Sequence, residues 1–217
     1  MGSMVGLKNR LEPEIKNVAQ TEGVTEEFVA RGVEAGRIVI PRNPIHSPKA
    51  CGIGEGLSVK VNVNVGTSRD RVEVEEEMEK VQISLKYGAD ALMDLSTGGD
   101  IDSIRKRILS ECTIPVGTVP IYQTGIRLAR KGAVVDMTED DIFNGIIQHA
   151  KDGVDFMTVH CGITKELVDR LKRSTRVTGV VSRGGSFLVA WILHNEMENP
   201  LYKNFDYLLE LAKEYEF

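Results

Sequence analysis

The chain has 217 residues, 41% hydrophobic and 27% charged, with 27 Lys and Arg against 32 Asp and Glu for a net charge of −5. That is enough apolar material for one core, and so mild an acidity leaves no basic face for nucleic acid. No apolar run approaches the roughly 18 residues of a membrane span and no apolar core of a signal peptide opens the chain, so a cytoplasmic protein without nucleic-acid or membrane partners is expected.

Met1-Gly2-Ser3 ahead of Met4 reads as a cloning remnant, which puts the native start at Met4. Leu11–Gln20 and Thr25–Ala35 have the spacing of two short helices, the second with Thr25 as N-cap, Val29 and Val33 on one face and Gly36 past its end. Arg37–Pro41 reads as extended. Pro44, Pro48 and Gly52-Ile-Gly-Glu-Gly56 then form the clearest internal boundary, dividing a small N-terminal region, 1–56, from a body spanning 57–217. That glycine cluster follows Pro48-Lys49 instead of a strand, so it lacks the context of a dinucleotide-binding fingerprint.

In the body, short apolar runs alternate with helical stretches. The runs are Val59–Gly66, Ala91–Thr97, Pro115–Tyr122, Val154–His160 and Val177–Ser182. They are rich in Val, Ile and Met and poor in alternation, as strands buried on both faces are. Val74, Met78, Val81 and Leu85 mark one helix, and Ile101, Ile104 and Ile108 the next. Thr138 and Asp141 make a capping box for a third, lined by Ile142, Ile146 and Ala150 and stopped by Gly153. Leu167, Val168 and Leu171 give a shorter stripe after Thr164. Gly185–Met197 is a further helix ended by Asn199-Pro200, and a last one turns Phe205, Leu208, Leu209 and Ala212 inward. A strand followed repeatedly by a helix is the unit of an α/β fold with a parallel sheet, most simply a TIM-type barrel of about eight βα units. Five such units are present, so a fragment, or a barrel whose remaining strands come from another chain, is expected.

Strand ends of such a barrel converge on one mouth. Here they carry Asn62 and Asn64, Met93 and Asp94, Tyr122 and Gln123, His160 and Cys161, and Ser182-Arg183-Gly184-Gly185. The last is a small-residue turn at a helix N-terminus beside an arginine, suited to a phosphate or carboxylate. His160 is placed to donate to a ligand or to act as acid or base, and Tyr122 is a second candidate. Asp94 is expected to anchor the Ser96–Gly99 turn. His46, His149 and His194 read as solvated. Cys51, Cys112 and Cys161 lie too far apart for a metal motif and read as reduced thiols, Cys161 drawing notice only as the neighbour of His160.

The wording at these strand ends resembles the phosphomethylpyrimidine synthase family: Lys60-Val-Asn-Val-Asn-Val-Gly-Thr-Ser68, Met93-Asp-Leu-Ser-Thr-Gly-Gly99, Val116-Gly-Thr-Val-Pro-Ile-Tyr122, Gly153-Val-Asp-Phe-Met-Thr-Val-His160, Val181-Ser-Arg-Gly-Gly185 and Glu198-Asn-Pro-Leu-Tyr202. The resemblance runs from about Gly23 to the C-terminus. It implies a radical S-adenosylmethionine lyase of thiamine biosynthesis. Such an enzyme converts 5-aminoimidazole ribonucleotide to 4-amino-5-hydroxymethyl-2-methylpyrimidine phosphate with a 4Fe–4S cluster, a divalent metal (zinc or iron) and a homodimeric assembly. It carries substrate contacts onto Asn64, Met93, Tyr122, His160, Ser182, Arg183 and Gly184, with His160 and Tyr122 nearest the chemistry. The first motif reads Asn-Val-Asn-Val where the family more often has Asn-Ala-Asn-Ile. The family's later Gly-Asp-Gly-Leu-Arg strand, its glutamate contact, its two metal-binding histidines and its Cys-x2-Cys-x4-Cys motif are absent from these residues, so cluster and metal ligands are not expected here. Two alternatives stand beside this reading. One is the related 5-hydroxybenzimidazole synthase of cobamide biosynthesis, which starts from the same ribonucleotide; the other is a non-catalytic truncated copy.

Overall fold

A computed structural model describes residues 11–130 and 132–217, so the expected cloning remnant and start at Met4 lie outside the described residues. Helices α1 (Glu12–Glu22) and α2 (Glu26–Glu34) pack as a pair, and Thr25 Oγ1 accepts the Phe28 N–H at 3.1 Å as the expected N-cap. They bury Ile15, Val18, Ala19 and Val29 together with Ile38, a small core of their own. Ile38 lies in β1 (Ile38–Val39), which pairs antiparallel with β2 (Ile53–Gly54). Gly54 has φ 154°, and a Cβ there would sit 2.1 Å from the Arg37 carbonyl oxygen. The glycine cluster therefore serves this close backbone approach.

Four parallel strands follow in the order β3 (Asn62–Val65), β4 (Ala91–Asp94), β5 (Val116–Thr118) and β6 (Phe156–Met157). One face carries Val65, Leu92 and Val116 against Met78 and Val81 of α3 (Val74–Lys86) and Ile104 and Ile108 of α4 (Ile101–Glu111). On the other face the register aligns Asn64 with Met93, Met93 with Gly117 and Gly117 with Phe156. The second large core joins Met93 to α5 (Pro120–Ala129), α6 (Glu139–Asp152), α7 (Lys165–Lys172), α8 (Arg183–Asn195), and, beyond the four-residue α9 (Pro200–Lys203), α10 (Phe205–Tyr215). Thr138 and Asp141 form the expected capping box on α6, and Gly153 closes it in the left-handed region. No helix among the described residues is long and apolar enough to cross a membrane.

The fold is α/β with a parallel sheet, as the run–helix alternation implies, but four details differ from expectation. Residues 177–182 form no strand: Val177 and Val181 are fully or largely exposed, with no partner strand to complete a ladder or bury them. The sheet thus ends at β6 among the described residues and does not close. Pro115–Tyr122 is a strand only to Thr118, because Pro120 starts a helix: its fixed φ suits the first turn, where its missing N–H goes unused. In α10, Leu208 and Leu211 are the buried residues, whereas Phe205 and Leu209 are exposed. Asn199 does more than end α8, since its Oδ1 accepts the Leu201 N–H and caps α9.

Two histidines expected in solvent are buried. His46 Nδ1 donates to Asp155 Oδ2 at 2.6 Å and its Nε2 donates to the Cys112 carbonyl at 2.7 Å. Asp155 is wholly buried and also accepts the N–H groups of Asn43 and Val116, each at 2.8 Å. Burial alone would lower the His46 pKa, yet the Asp155 hydrogen bond and charge carry it above its ordinary value. This charged pair ties the N-terminal segment to the start of β5. His149 is buried on α6, next to the fully buried Arg105. His194 is exposed.

Candidate ligand-binding site

The N-terminus of α8 gathers most of the candidate residues. Ser182 is its N-cap: the side-chain oxygen accepts the Gly185 N–H at 3.2 Å and is hydrogen-bonded to His160 Nε2 at 3.0 Å. The imidazole lies so close over Gly184 that a Cβ on that residue would stand 2.3 Å from its Cε1. Arg183 holds its guanidinium 5.1 Å from the centre of the Tyr122 ring, a cation–π contact. Tyr122 belongs to the first turn of α5 and not to a strand end, but the turn after β5 still delivers it to this side.

Met93 and the partly buried rings of Tyr122, Phe156 and Phe187 share one apolar cluster, so Met93 reaches the group through packing. Asn64 is exposed one strand further out, beside Met93 in register. A cleft of about 360 Å³, near the lower end for small-molecule sites, runs between the loop after β3 (Ser68, Arg69) and Arg183 and Phe187 of α8. Asp94 is buried and accepts the Ser96 N–H at 2.9 Å, which makes it the expected anchor of the turn after β4. Its burial pushes that carboxyl above its usual pKa.

His160 carries the most telling detail. Its Nδ1 is buried and has no hydrogen-bond partner, and each such atom in a folded protein calls for an explanation. Burial also pushes the imidazole below its ordinary pKa, so the ring is neutral at neutral pH. Beside it, the first N–H groups of α8 have no partner within the helix, and the helix dipole and Arg183 add positive potential. The arrangement suits an anionic group at the turn.

The described residues do not fit an iron–sulfur cluster or a catalytic metal. No three of their His, Cys, Asp and Glu side chains stand together as a ligand set. Burial raises the thiol pKa of Cys51, Cys112 and Cys161, the opposite of what a thiolate ligand requires.

A sequence model of the radical SAM ThiC family matches residues 4–217. The chain belongs to that family. Similar proteins include "Phosphomethylpyrimidine synthase 2" of Methanothermobacter thermautotrophicus, 51% identical over 210 residues that make up 96% of this chain and 50% of that protein. The phosphomethylpyrimidine synthase of Thermus thermophilus is 54% identical over 211 residues, 96% of this chain and 48% of its own length. That of Pyrococcus furiosus is 56% identical over 207 residues, 94% of this chain and 48% of its own. The ThiC family chain described here therefore spans about half the length of the curated relatives it matches.

Some residues around the candidate site escape a reading of strand ends. Phe187 lies one turn into α8, and Ser68 and Arg69 sit several residues past β3. Their signal is positional, since Ser68 ends the Lys60–Ser68 motif and Arg69 and Phe187 follow a motif by one or two residues. Arg105 and His149 have none, being one polar residue each on helices otherwise read by their apolar stripes.

Proposed function

We propose that this chain supplies the substrate-holding part of a phosphomethylpyrimidine synthase acting on 5-aminoimidazole ribonucleotide. In that reading residues 57–217 are the first part of a TIM-type barrel, residues 1–56 a small accessory region, and the longer relatives' remaining length carries what closes the sheet. The separate apolar core around Ile15, Val29 and Ile38 supports the division. The observation that carries the reading is the unpartnered Nδ1 of His160, held beside Ser182, Arg183 and Tyr122 at a helix N-terminus.

The roles follow from chemistry. The Ser182–Gly184 turn takes the ribonucleotide phosphate on backbone N–H groups, with Arg183 supplying charge. Tyr122 gives the imidazole ring a flat apolar wall, and His160 Nδ1 pairs with a ring or ribose polar atom. Met93 shapes the apolar floor and Asn64 offers an amide at its margin. What these residues do is bind and orient. Exact placement matters because a misplacement of about 1 Å in an active site is capable of costing on the order of 10²-fold in rate. S-adenosylmethionine, the cluster, a divalent metal and a homodimeric state belong to the same proposal through family membership. No step is assigned to cluster or metal, because the described residues offer them no ligand set.

The names of the relatives favour the pyrimidine product over 5-hydroxybenzimidazole and over a non-catalytic copy. The test is the complete gene product incubated with 5-aminoimidazole ribonucleotide, S-adenosylmethionine and a reductant. Pyrimidine phosphate should form, and His160→Ala should abolish it while the fold persists. A benzimidazole product, or His160→Ala activity within a few-fold of wild type, overturns the assignment.

A further inference from the structure

Behind Tyr122 lies a buried polar network that the ligand-facing residues do not use. Arg105 of α4, with no exposed surface, directs Nε and Nη2 to Asp152 Oδ2 and Nη2 also to Asp102 Oδ1 at 2.6 Å. Its Nη1 donates to Gln123 Oε1 at 2.7 Å. Asp102 Oδ1 accepts from Gln123 Nε2 at 2.7 Å and Gln148 Nε2 at 2.8 Å. A carboxylate only accepts, so the Gln123 amide nitrogen must face Asp102 and its oxygen must face Arg105 and His149.

His149 Nε2 stands between Gln123 Oε1 at 2.8 Å, which accepts, and Arg105 Nη1 at 3.1 Å, which donates, while its Nδ1 is hydrogen-bonded to the Thr118 hydroxyl at 2.8 Å. One neutral imidazole thus grips the last residue of β5 and the fourth residue of α5, on either side of Tyr122. The α5 N-terminus needs such a grip, because its N-cap, Val119, makes no side-chain cap bond. The helices also touch closely where Gly145 meets Thr124: a Cβ there would lie 2.4 Å from Thr124 Oγ1.

We propose that His149 is a positioning residue for Tyr122: by holding Thr118 and Gln123 together, it fixes the turn between them and the ring that faces Arg183. Asp102 and Arg105 set the orientation of Gln123, without which His149 has no acceptor on α5. This deepens the reading of Tyr122 as the ligand's flat wall and rests on it for its consequence, though not for its geometry.

The chain labelled with 3-fluorotyrosine has five tyrosines, and Tyr122→Phe assigns one fluorine NMR line. His149→Phe should move or split that line without ligand, and His149→Gln, which keeps a donor toward Gln123, should return it partway. Asp102→Ala, at a partly exposed carboxylate, should move the same line in a protein that still folds. Val29→Ala, which weakens the distant N-terminal core, should lower the melting temperature and leave the line in place. If Asp102→Ala or folded His149→Phe leaves the Tyr122 line unmoved, the network is merely structural and the proposal fails. Titrating 5-aminoimidazole ribonucleotide into wild type separates the two readings. A response of the Tyr122 line that weakens about tenfold in affinity in His149→Phe supports both. No response in wild type refutes the ligand assignment, while the ligand-free spectra still decide the role of His149.

Discussion

Gly184→Ala is a sharp test of the site because its two effects on folding nearly cancel. The new methyl would lie 2.3 Å from His160 Cε1, 2.7 Å from Nδ1 and 2.8 Å from Nε2. Ordinary carbon contacts begin near ~3.5 Å, so the ring must retreat by about 1 Å. The 3.0 Å bond to Ser182 Oγ then passes out of hydrogen-bonding range, a net loss of about 1 kcal/mol. Against this, alanine in place of glycine inside a helix contributes about 0.5–1 kcal/mol. The imidazole is only half-buried and has room on its solvent side, so the backbone need not move. Thermal unfolding should therefore stay within a few degrees of wild type. Affinity for 5-aminoimidazole ribonucleotide, by titration calorimetry, should fall at least about tenfold, equivalent to about 1.4 kcal/mol, because Nδ1 and the α8 N-terminus no longer face the ligand together. An affinity within twofold of wild type would show that the position of His160 over Gly184 has no bearing on the ligand.

Arg183→Ala should weaken the ribonucleotide more than the corresponding nucleoside, and equal losses in the two titrations would remove the phosphate from the α8 turn. Stability should depend on pH with opposite signs from two histidines. The raised pKa of His46 makes its contribution fully present below about pH 6.5 and lost as pH rises through the folded-state value. His149, pushed down to about 3 by burial and by Arg105, contributes above pH 6.5 and loses that contribution on acidification toward about 3. Urea midpoints across pH should show both limbs, and His46→Gln should flatten the alkaline one; an unchanged alkaline limb refutes the charged pair. Gly117→Ala places a Cβ 2.2 Å from the Phe156 ring in the next strand, and overpacking of that kind costs about 1–3 kcal/mol. Its urea midpoint should fall, and a wild-type midpoint would mean that β5 and β6 are not in the described register.

What the sequence disclosed was local. Thr25, the Thr138–Asp141 pair and Gly153 announce helix ends because the bonds they make span three or four residues and need nothing else to be folded. Strands β4 and β5 are legible for a related reason, since strands buried along their whole length run rich in apolar residues, whereas β3 alternates and exposes Asn62 and Asn64. Val177–Val181 satisfies the same pattern and stays out of the sheet, which shows the limit of that inference. A β-branched run states a preference, but a ladder needs a neighbour, and among the described residues β6 offers a ladder only through Met157. The start of α5 departs from the apolar-run pattern because Pro120 suits a first helical turn better than a central strand.

The four histidines make the remaining gap concrete. His46 is a buried cation because Asp155, 109 residues away, lies against it. His149 is a buried neutral ring because burial and the charge of Arg105 disfavour its proton, and Gln123 and Thr118 hold it on either side. His160 is half-buried with one nitrogen unpartnered, and His194 lies in solvent. No neighbour in sequence distinguishes these four fates. His160 alone ends a run read as a strand, and that position makes it a candidate while the other two buried rings pass as surface. Position along a strand thus points to candidate ligand-facing groups, whereas groups that hold such residues in place meet their partners only after the chain has folded. A strand-end search will for that reason find binding residues sooner than the residues that aim them, and His149 is where that distinction can be measured.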